Sequence, residues 1–334
     1  MVVQSDNQIS KSGKRYNLVD IQYPSLWEFY KRQRDAFWVP AEIDLTDDYT
    51  DWNEKLTDND RHFLTYTLSF FSQADGIVLQ NLNANFSLDI DIPEVIAFYG
   101  IQQGIEAIHW ETYADLIRTF IKDREERERA SNAIQNYPCV AEKAAWMMKW
   151  MDADKVPFIE RLVGFACSEG IFFSSAFASI YYYKQRDVLP GLMKSNQLIA
   201  RDEGLHRDFA CELFKILTRE SPDEYPLDWD IISEIVRDAV KIEETFVKES
   251  LNVDLVGINP NNMIQYVQYT ANQLMTVLGY KGSKLYNVKN PFDWMDFINL
   301  PNKENFFDVP GQVAEYKKPD TQAKDNTFEL DDDF

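Results

Sequence analysis

The sequence predicts an all-α helical bundle closed around a buried, carboxylate-rich di-metal site. Two of its three histidines end the same short motif, Glu106-Ala-Ile-His109 and Glu203-Gly-Leu-His206. Positions three apart on a helix are separated by about 60° of arc, so each Glu/His pair faces one way. Each motif is preceded by an apolar stretch that carries one more carboxylate, Asp75 before the first and Glu169 before the second. Two such pairs plus two carboxylates, on inward faces of four helices, form the ligand set of a bridged two-metal site in a bundle core. Composition agrees. The 334 residues are 45% hydrophobic and 14% aromatic with only 12 Gly and 13 Pro, which favours long helices over a turn-rich β protein.

Residues 1–20 open with the polar run MVVQSDNQISKSGKR and read as a flexible arm rather than a signal peptide. Residues 21–56 read as short helical and extended pieces, with Pro40 pushing Val39 out of helical geometry. Thr57 and Asp60 have capping-box spacing and open a helix that runs to about residue 85 and carries Asp75. Pro93 opens the next, which holds Glu106, His109 and Tyr113 and ends in the charged run Lys122 to Arg129. A third helix covers about 138–152, and a long apolar one about 155–184 contains Glu169. Pro190-Gly191 marks the turn into the helix of Glu203 and His206, and two more helices follow near 227–251 and 260–279. A single metal-binding domain is therefore expected over 21–301. Beyond it, periodic apolar character is lost and 302–334 reads as an acidic tail.

A net charge of −21 argues against a nucleic-acid backbone or an anionic membrane as a direct partner. Cys139, Cys167 and Cys211 are an odd trio without C-x-x-C spacing and read as reduced thiols, which makes the cytoplasm the expected compartment. The apolar run Leu162 to Tyr183 is long enough for a membrane. Glu169 and four serines dilute it, so a helix buried within the protein explains it better. Neither a P-loop nor G-x-G-x-x-G is present, and nucleotide binding is not expected on this chain.

Oxygen-rich, two-imidazole coordination suits iron or manganese better than zinc. His62, about 220° around its helix from Asp75, cannot join the site and is expected to be structural. Tyr113 lies one turn beyond His109 on the same stripe. A phenol beside an oxidising two-metal centre can lose an electron and a proton, provided water and reductants are kept away. Phe173, Phe177 and Ile199 are spaced to supply that apolar wall, although ordinary core packing would use them equally well.

These residues also resemble a known family. Ser168-Glu-Gly-Ile-Phe-Phe-Ser-Ser-Ala-Phe-Ala-Ser-Ile180 looks like its SEGIFFS signature, and Leu189-Pro-Gly-Leu, Ser195-Asn and Ala200-Arg-Asp-Glu-Gly-Leu-His206 match the next. With Phe37-Trp38, Ala74-Asp-Gly-Ile-Val78, Asn290-Pro-Phe-Asp-Trp294 and an acidic end at Phe334, the chain resembles the radical-generating small subunit of class I ribonucleotide reductase. The resemblance implies a ferritin-like homodimer. It also implies one metal on Asp75, Glu106 and His109 and a second on Glu169, Glu203 and His206, with carboxylates bridging. An iron pair is the first choice of cofactor, while Mn/Fe and Mn/Mn share the same ligands. Tyr113 falls on the family's radical tyrosine, Trp38 and Asp202 on its electron-transfer pair, and Tyr316 on its tail relay tyrosine. The sequence departs from the family where Phe307 to Ala314 replaces a usually basic stretch, and in a Trp38-to-Asp75 interval one residue longer than expected. Phe328, Leu330 and Phe334 resemble the peptide that docks on the large, nucleotide-reducing subunit. A non-catalytic scaffold subunit is one alternative, but it would be expected to have lost ligands and none is missing; a stand-alone ferritin-like oxidase is the other. It would share the six ligands but have little use for Tyr113 or the tail.

Overall fold

The computed structural model describes residues 15–184, 186–251 and 258–292, all within one unit that ends at Asp293. In chain order the helices are α1 (Pro24–Asp35), α2 (Thr46–Glu54), α3 (Asp58–Asn81), α4 (Ser87–Asp89), α5 (Pro93–Phe120), α6 (Arg124–Ser131) and α7 (Ala133–Asn136). They continue with α8 (Pro138–Lys149), α9 (Phe158–Cys167), α10 (Ser174–Lys184), α11 (Pro190–Glu220), α12 (Trp229–Ser250) and α13 (Pro260–Leu278). There is no β-strand among the described residues. Tyr316, Phe328, Leu330 and Phe334 lie outside them.

Local chemistry fixes several helix starts. Thr57 Oγ1 accepts from the Asp60 amide while Asp60 returns a bond to the Thr57 amide, the reciprocal cap expected at the head of α3. Such a cap contributes about 1 kcal/mol. Val39 is extended before Pro40, as expected. The start of α11 is held from outside: the buried Asp48 carboxylate accepts from the amides of Gly191 (2.8 Å) and Leu192 (2.7 Å), and Asp51 accepts from that of Leu189 (2.9 Å). Those groups are orphan donors of a helix N-terminus, and a carboxylate there also meets its positive dipole end. Only glycine fits at 191, because a Cβ would stand 2.3 Å from the Asp44 carbonyl oxygen.

Three helices differ from expectation: α3, expected to run to about residue 85, gives way to a π-turn at Leu82–Phe86. α5 stops at Phe120, and the charged run forms the separate α6, whose start Asp123 caps by accepting from the Glu126 amide. The run is polar all round and has no apolar stripe to continue the buried face of α5. The apolar helix expected at 155–184 is broken: α9 passes into a π-turn at Ser168–Phe172, and α10 begins at Ser174. Uniform apolarity hides such a break, because every face of the segment is buried and periodicity carries no phase. The stretch Phe158–Lys184 is long and apolar enough to cross a membrane, yet it is buried inside the protein.

α3 packs along α5, α1 lies against both α5 and α11, and α11 packs on α9 and α10. α8, α12 and α13 close the other side of the α9–α10 segment. Between them lies an aromatic core in which Phe63, Phe70, Phe71, Phe98, Phe172, Phe173 and Phe209 are completely or almost completely buried. Each such ring contributes roughly 1.5–3 kcal/mol on leaving water. This core brings the inner faces of α3, α5, the π-turn and α11 to one place.

Candidate metal centre

Asp75 (α3), Glu106 and His109 (α5), Glu169 (π-turn), and Glu203 and His206 (α11) meet in the centre of the bundle, all of them buried. Their ligand atoms form two overlapping groups: Asp75, Glu106 and His109 in one, and Glu106, Glu169, Glu203 and His206 in the other. Glu106 belongs to both. Gly170 permits the π-turn to lie close on α11, since a Cβ there would sit 2.7 Å from Cδ of Arg207. π-turns recur where a helix must redirect a functional side chain, and here one carries Glu169.

The cluster is poorly satisfied by its own members. Both oxygens of Asp75 and of Glu169, Oε2 of Glu106 and Oε1 of Glu203 are buried without a hydrogen-bond partner, as are His109 Nδ1 and His206 Nε2. His109 Nδ1 does lie 3.0 Å from Glu203 Oε1, but without the alignment of a hydrogen bond. Burial first, and then the neighbouring Glu203 carboxylate, push Asp75 and Glu169 well above the usual carboxylate range. Burial works against the charge of His206 too, but Glu106 (2.9 Å) and Glu203 (3.1 Å) beside its Nδ1 outweigh it and raise the imidazole to about 9. His109 is raised in the same way, with Asp202, Glu106 and Glu203 overcoming burial. The two raised imidazoles offset only part of four converging carboxylates, and the oxygens left orphaned in the core are costly to bury unless further cations meet them. An oxygen-rich donor set with two imidazoles fits a pair of iron or manganese ions, which the centre would hold through these six residues.

Around the cluster, Asp202 organises a second set of contacts. Its Oδ2 accepts from Trp38 Nε1 at 2.8 Å and lies 3.3 Å from His109 Nε2, leaving His109 Nδ1 turned towards the carboxylates. The Trp38 and His109 rings are stacked with centroids 6.0 Å apart. Sequence reasoning missed what fixes Asp202 itself. Gln33 Nε2 donates to its Oδ1 at 3.1 Å from the buried face of α1, and Arg201 bridges the same oxygen to the Ala36 carbonyl. It also missed Gln102, one turn before Glu106, whose amide donates to Glu106 Oε1 at 3.1 Å. Helical spacing could have found Gln102; nothing in the sequence ties Gln33 to Asp202.

Tyr113 is buried on the same stripe of α5. Burial, and then the charge of Asp75, push its phenol well above the usual tyrosine value. Its ring stacks on Phe71 at 4.7 Å with 7° between the planes, and Phe71 in turn meets Phe173 (5.5 Å) and Phe177 (5.0 Å). Phe71 therefore stands between Tyr113 and the two expected phenylalanines. It was legible one turn before Asp75 but not singled out. Ile199 is fully buried on α11, one turn before Glu203. His62 is exposed, away from the cluster, with its ring 4.7 Å from that of Tyr66.

Over most of its length the chain is similar to proteins of one family. Residues 15–291 match the family described as "Ribonucleotide reductase, small chain". The chain is 46% identical over 335 residues to the ribonucleoside-diphosphate reductase small subunit of Dictyostelium discoideum, covering 98% of this chain and 96% of that protein. It is 44% identical to the corresponding small chain of Variola virus, covering 98% and 99%. Among solved structures, the Rnr4 homodimer of the Saccharomyces cerevisiae ribonucleotide reductase superposes with a TM-score of 0.74 at 34% identity, covering 86% of this chain and 88% of that one. The R2 subunit from Clostridium botulinum, at 23% identity and a TM-score of 0.75, shares the fold. With the helical architecture, the buried carboxylate–histidine centre and a match spanning most of its length, this chain belongs to the ribonucleotide reductase small-chain family.

Proposed function

We propose that the chain works as the radical-generating small subunit of a ribonucleoside-diphosphate reductase, with Tyr113 as its radical carrier. The observation that carries this is the placement of one buried phenol, walled by Phe71, on the stripe of α5 that carries Glu106 and His109. With dioxygen, two iron or manganese ions held by the six residues would supply the oxidising power to take one electron from that phenol. Because the Tyr113 hydroxyl is held protonated at neutral pH, the electron would leave together with the proton, both being taken up in the reduction of dioxygen. The phenylalanine wall keeps water and reductants from the oxidised ring. A stand-alone oxidase would need none of this. The test is electron paramagnetic resonance after Fe(II) and oxygen are added to the metal-free chain. A tyrosyl doublet coupled to metal is expected, and two bound irons with no such signal would favour the oxidase.

Trp38, Asp202 and His109 make a hydrogen-bonded chain from α5 to the segment after α1, which we assign as the exit path, with Tyr316 as its continuation towards the large subunit. Trp38→Phe removes the indole N–H donated to Asp202 but leaves all six metal-binding side chains. Reductase turnover is expected to fall at least about tenfold at unchanged metal content, and normal turnover would remove Trp38 from the path.

A homodimer fits an exposed stripe of α5 formed by Ile96, Gly100, Gly104, Ala107 and Trp110, whose apolar and small residues would otherwise face water. The large subunit would be engaged by the C-terminal residues Phe328, Leu330 and Phe334. Deleting residues 326–334 is expected to abolish nucleotide reduction while Tyr113 is still oxidised. A truncated chain that still activates its large subunit would overturn the docking assignment. The buried thiols of Cys139, Cys167 and Cys211 suit a reducing compartment, and we assign the cytoplasm.

A further inference from the structure

A second buried ionic cluster lies beside the π-turn and shares no residue with the metal-binding set. Lys143 of α8 is completely buried, and its ammonium group lies 2.7 Å from Oε2 of the equally buried Glu243 of α12. The same nitrogen donates at 2.7 Å to the carbonyl of Phe172, the last residue of the π-turn. Ser175, in the first turn of α10, donates its hydroxyl to the other oxygen of Glu243. Aromatic rings enclose the ammonium, with the Phe70 centroid 3.4 Å and the Phe246 centroid 3.9 Å away.

Burial works against both charges, lowering Lys143 to about 8 and raising Glu243. An apolar pair of similar volume would commonly leave such a site as stable or more stable, so stability alone does not explain the ion pair. Its position does. A π-turn holds one more residue per turn than an α-helix and leaves a carbonyl without regular helical geometry at its exit. Lys143 satisfies the carbonyl at that point, and Glu243 ties Ser175, just past the break, to the same group.

We infer that Lys143, Glu243 and Ser175 form a lock that keeps the Ser168–Phe172 turn in its π form, making Lys143 a positioning residue for Glu169. If the turn relaxed to a regular α-helix, one residue of register would be lost and the two sides of the break would rotate relative to each other by about 100°. Glu169 lies inside this turn, so its carboxylate would swing out of the cluster. The other five metal-binding side chains lie on uninterrupted stretches of α3, α5 and α11 and would stay where they are. This inference rests on the proposed assignment of Glu169 as a ligand.

The test uses Lys143→Met combined with Glu243→Gln, which removes both charges and strands neither. Manganese(II) is titrated into the metal-free full-length chain, bound ions are counted, and the melting temperature is recorded alongside. One ion is expected to bind at least tenfold more weakly while the other is little changed and the melting temperature stays within a few degrees of the parent. Two ions bound with parental affinities would overturn the lock. If the double variant does not fold, Ser175→Ala, which removes a single hydroxyl, decides the matter: about threefold weaker binding of one ion supports the lock, and unchanged binding of both overturns it. Glu169→Ala separates this inference from the reading beneath it. A Glu169→Ala chain that binds both ions normally sinks the ligand assignment. One that loses an ion while the Lys143 and Ser175 variants bind both normally sinks only the lock.

Discussion

Tyr113→Phe is expected to lower nucleotide reduction by at least about 10³-fold, equivalent to about 4 kcal/mol of barrier, while leaving metal content and oxygen consumption within about twofold of the parent. The two halves of this expectation have different physical origins. The Phe71 stack involves the faces of the rings, which the substitution keeps, so packing in the core is preserved. No hydrogen bond to the lost hydroxyl is found among the described residues, so its removal should cost about 1 kcal/mol or less. What disappears is the only function a phenol has that a benzene ring lacks here, the release of an electron with a proton at an accessible potential. Metal analysis, oxygen uptake and turnover with the large subunit measure the three quantities separately. A variant that still turned over at a tenth of the parental rate would show that the radical resides elsewhere.

Much of this site could be read from the chain because its determinants are local. Glu106 and His109, like Glu203 and His206, fall on one face by helical spacing alone, and Tyr113 extends the first stripe by one turn. The Thr57–Asp60 cap was legible for the same reason, since both partners sit within four residues. Contacts between distant segments were not legible. Gln33 reaches Asp202, Asp48 caps α11 and Lys143 meets Glu243 only after the helices have packed. Phase was lost in a different way at Glu169. In a segment buried on all sides, adding a residue to one turn leaves hydropathy unchanged, so the π-turn at Ser168–Phe172 has no compositional sign. Gly170 is the nearest thing to one, but the reason for it, Arg207 of α11, is again remote in sequence.

Glu106→Ala is expected to remove both metal ions, whereas His109→Ala and His206→Ala should each weaken mainly one. The difference follows from geometry: Glu106 contributes ligand atoms to both groups, while each histidine belongs to one. Metal content by elemental analysis, approaching zero ions per chain for Glu106→Ala and about one for each histidine variant, checks it. Two ions retained in Glu106→Ala would refute the shared role. Stability of the metal-free chain should move the other way for a neighbouring residue. Beyond burial, the groups that raise the carboxyl of Glu169 are Glu203, Glu106 and Asp75, all of them acidic. Glu169→Gln keeps its volume and removes the cost of holding an acid un-ionised in the core, so the metal-free variant should be more stable even as it binds the second ion poorly. Denaturant titration of the two metal-free proteins measures this. Such opposed signs are expected of residues placed for a cation at the expense of the empty fold, because without the ion a carboxyl stays buried at a cost that a bound ion would offset. A Glu169→Gln chain that was less stable without metal would mean that the carboxylate serves packing rather than coordination.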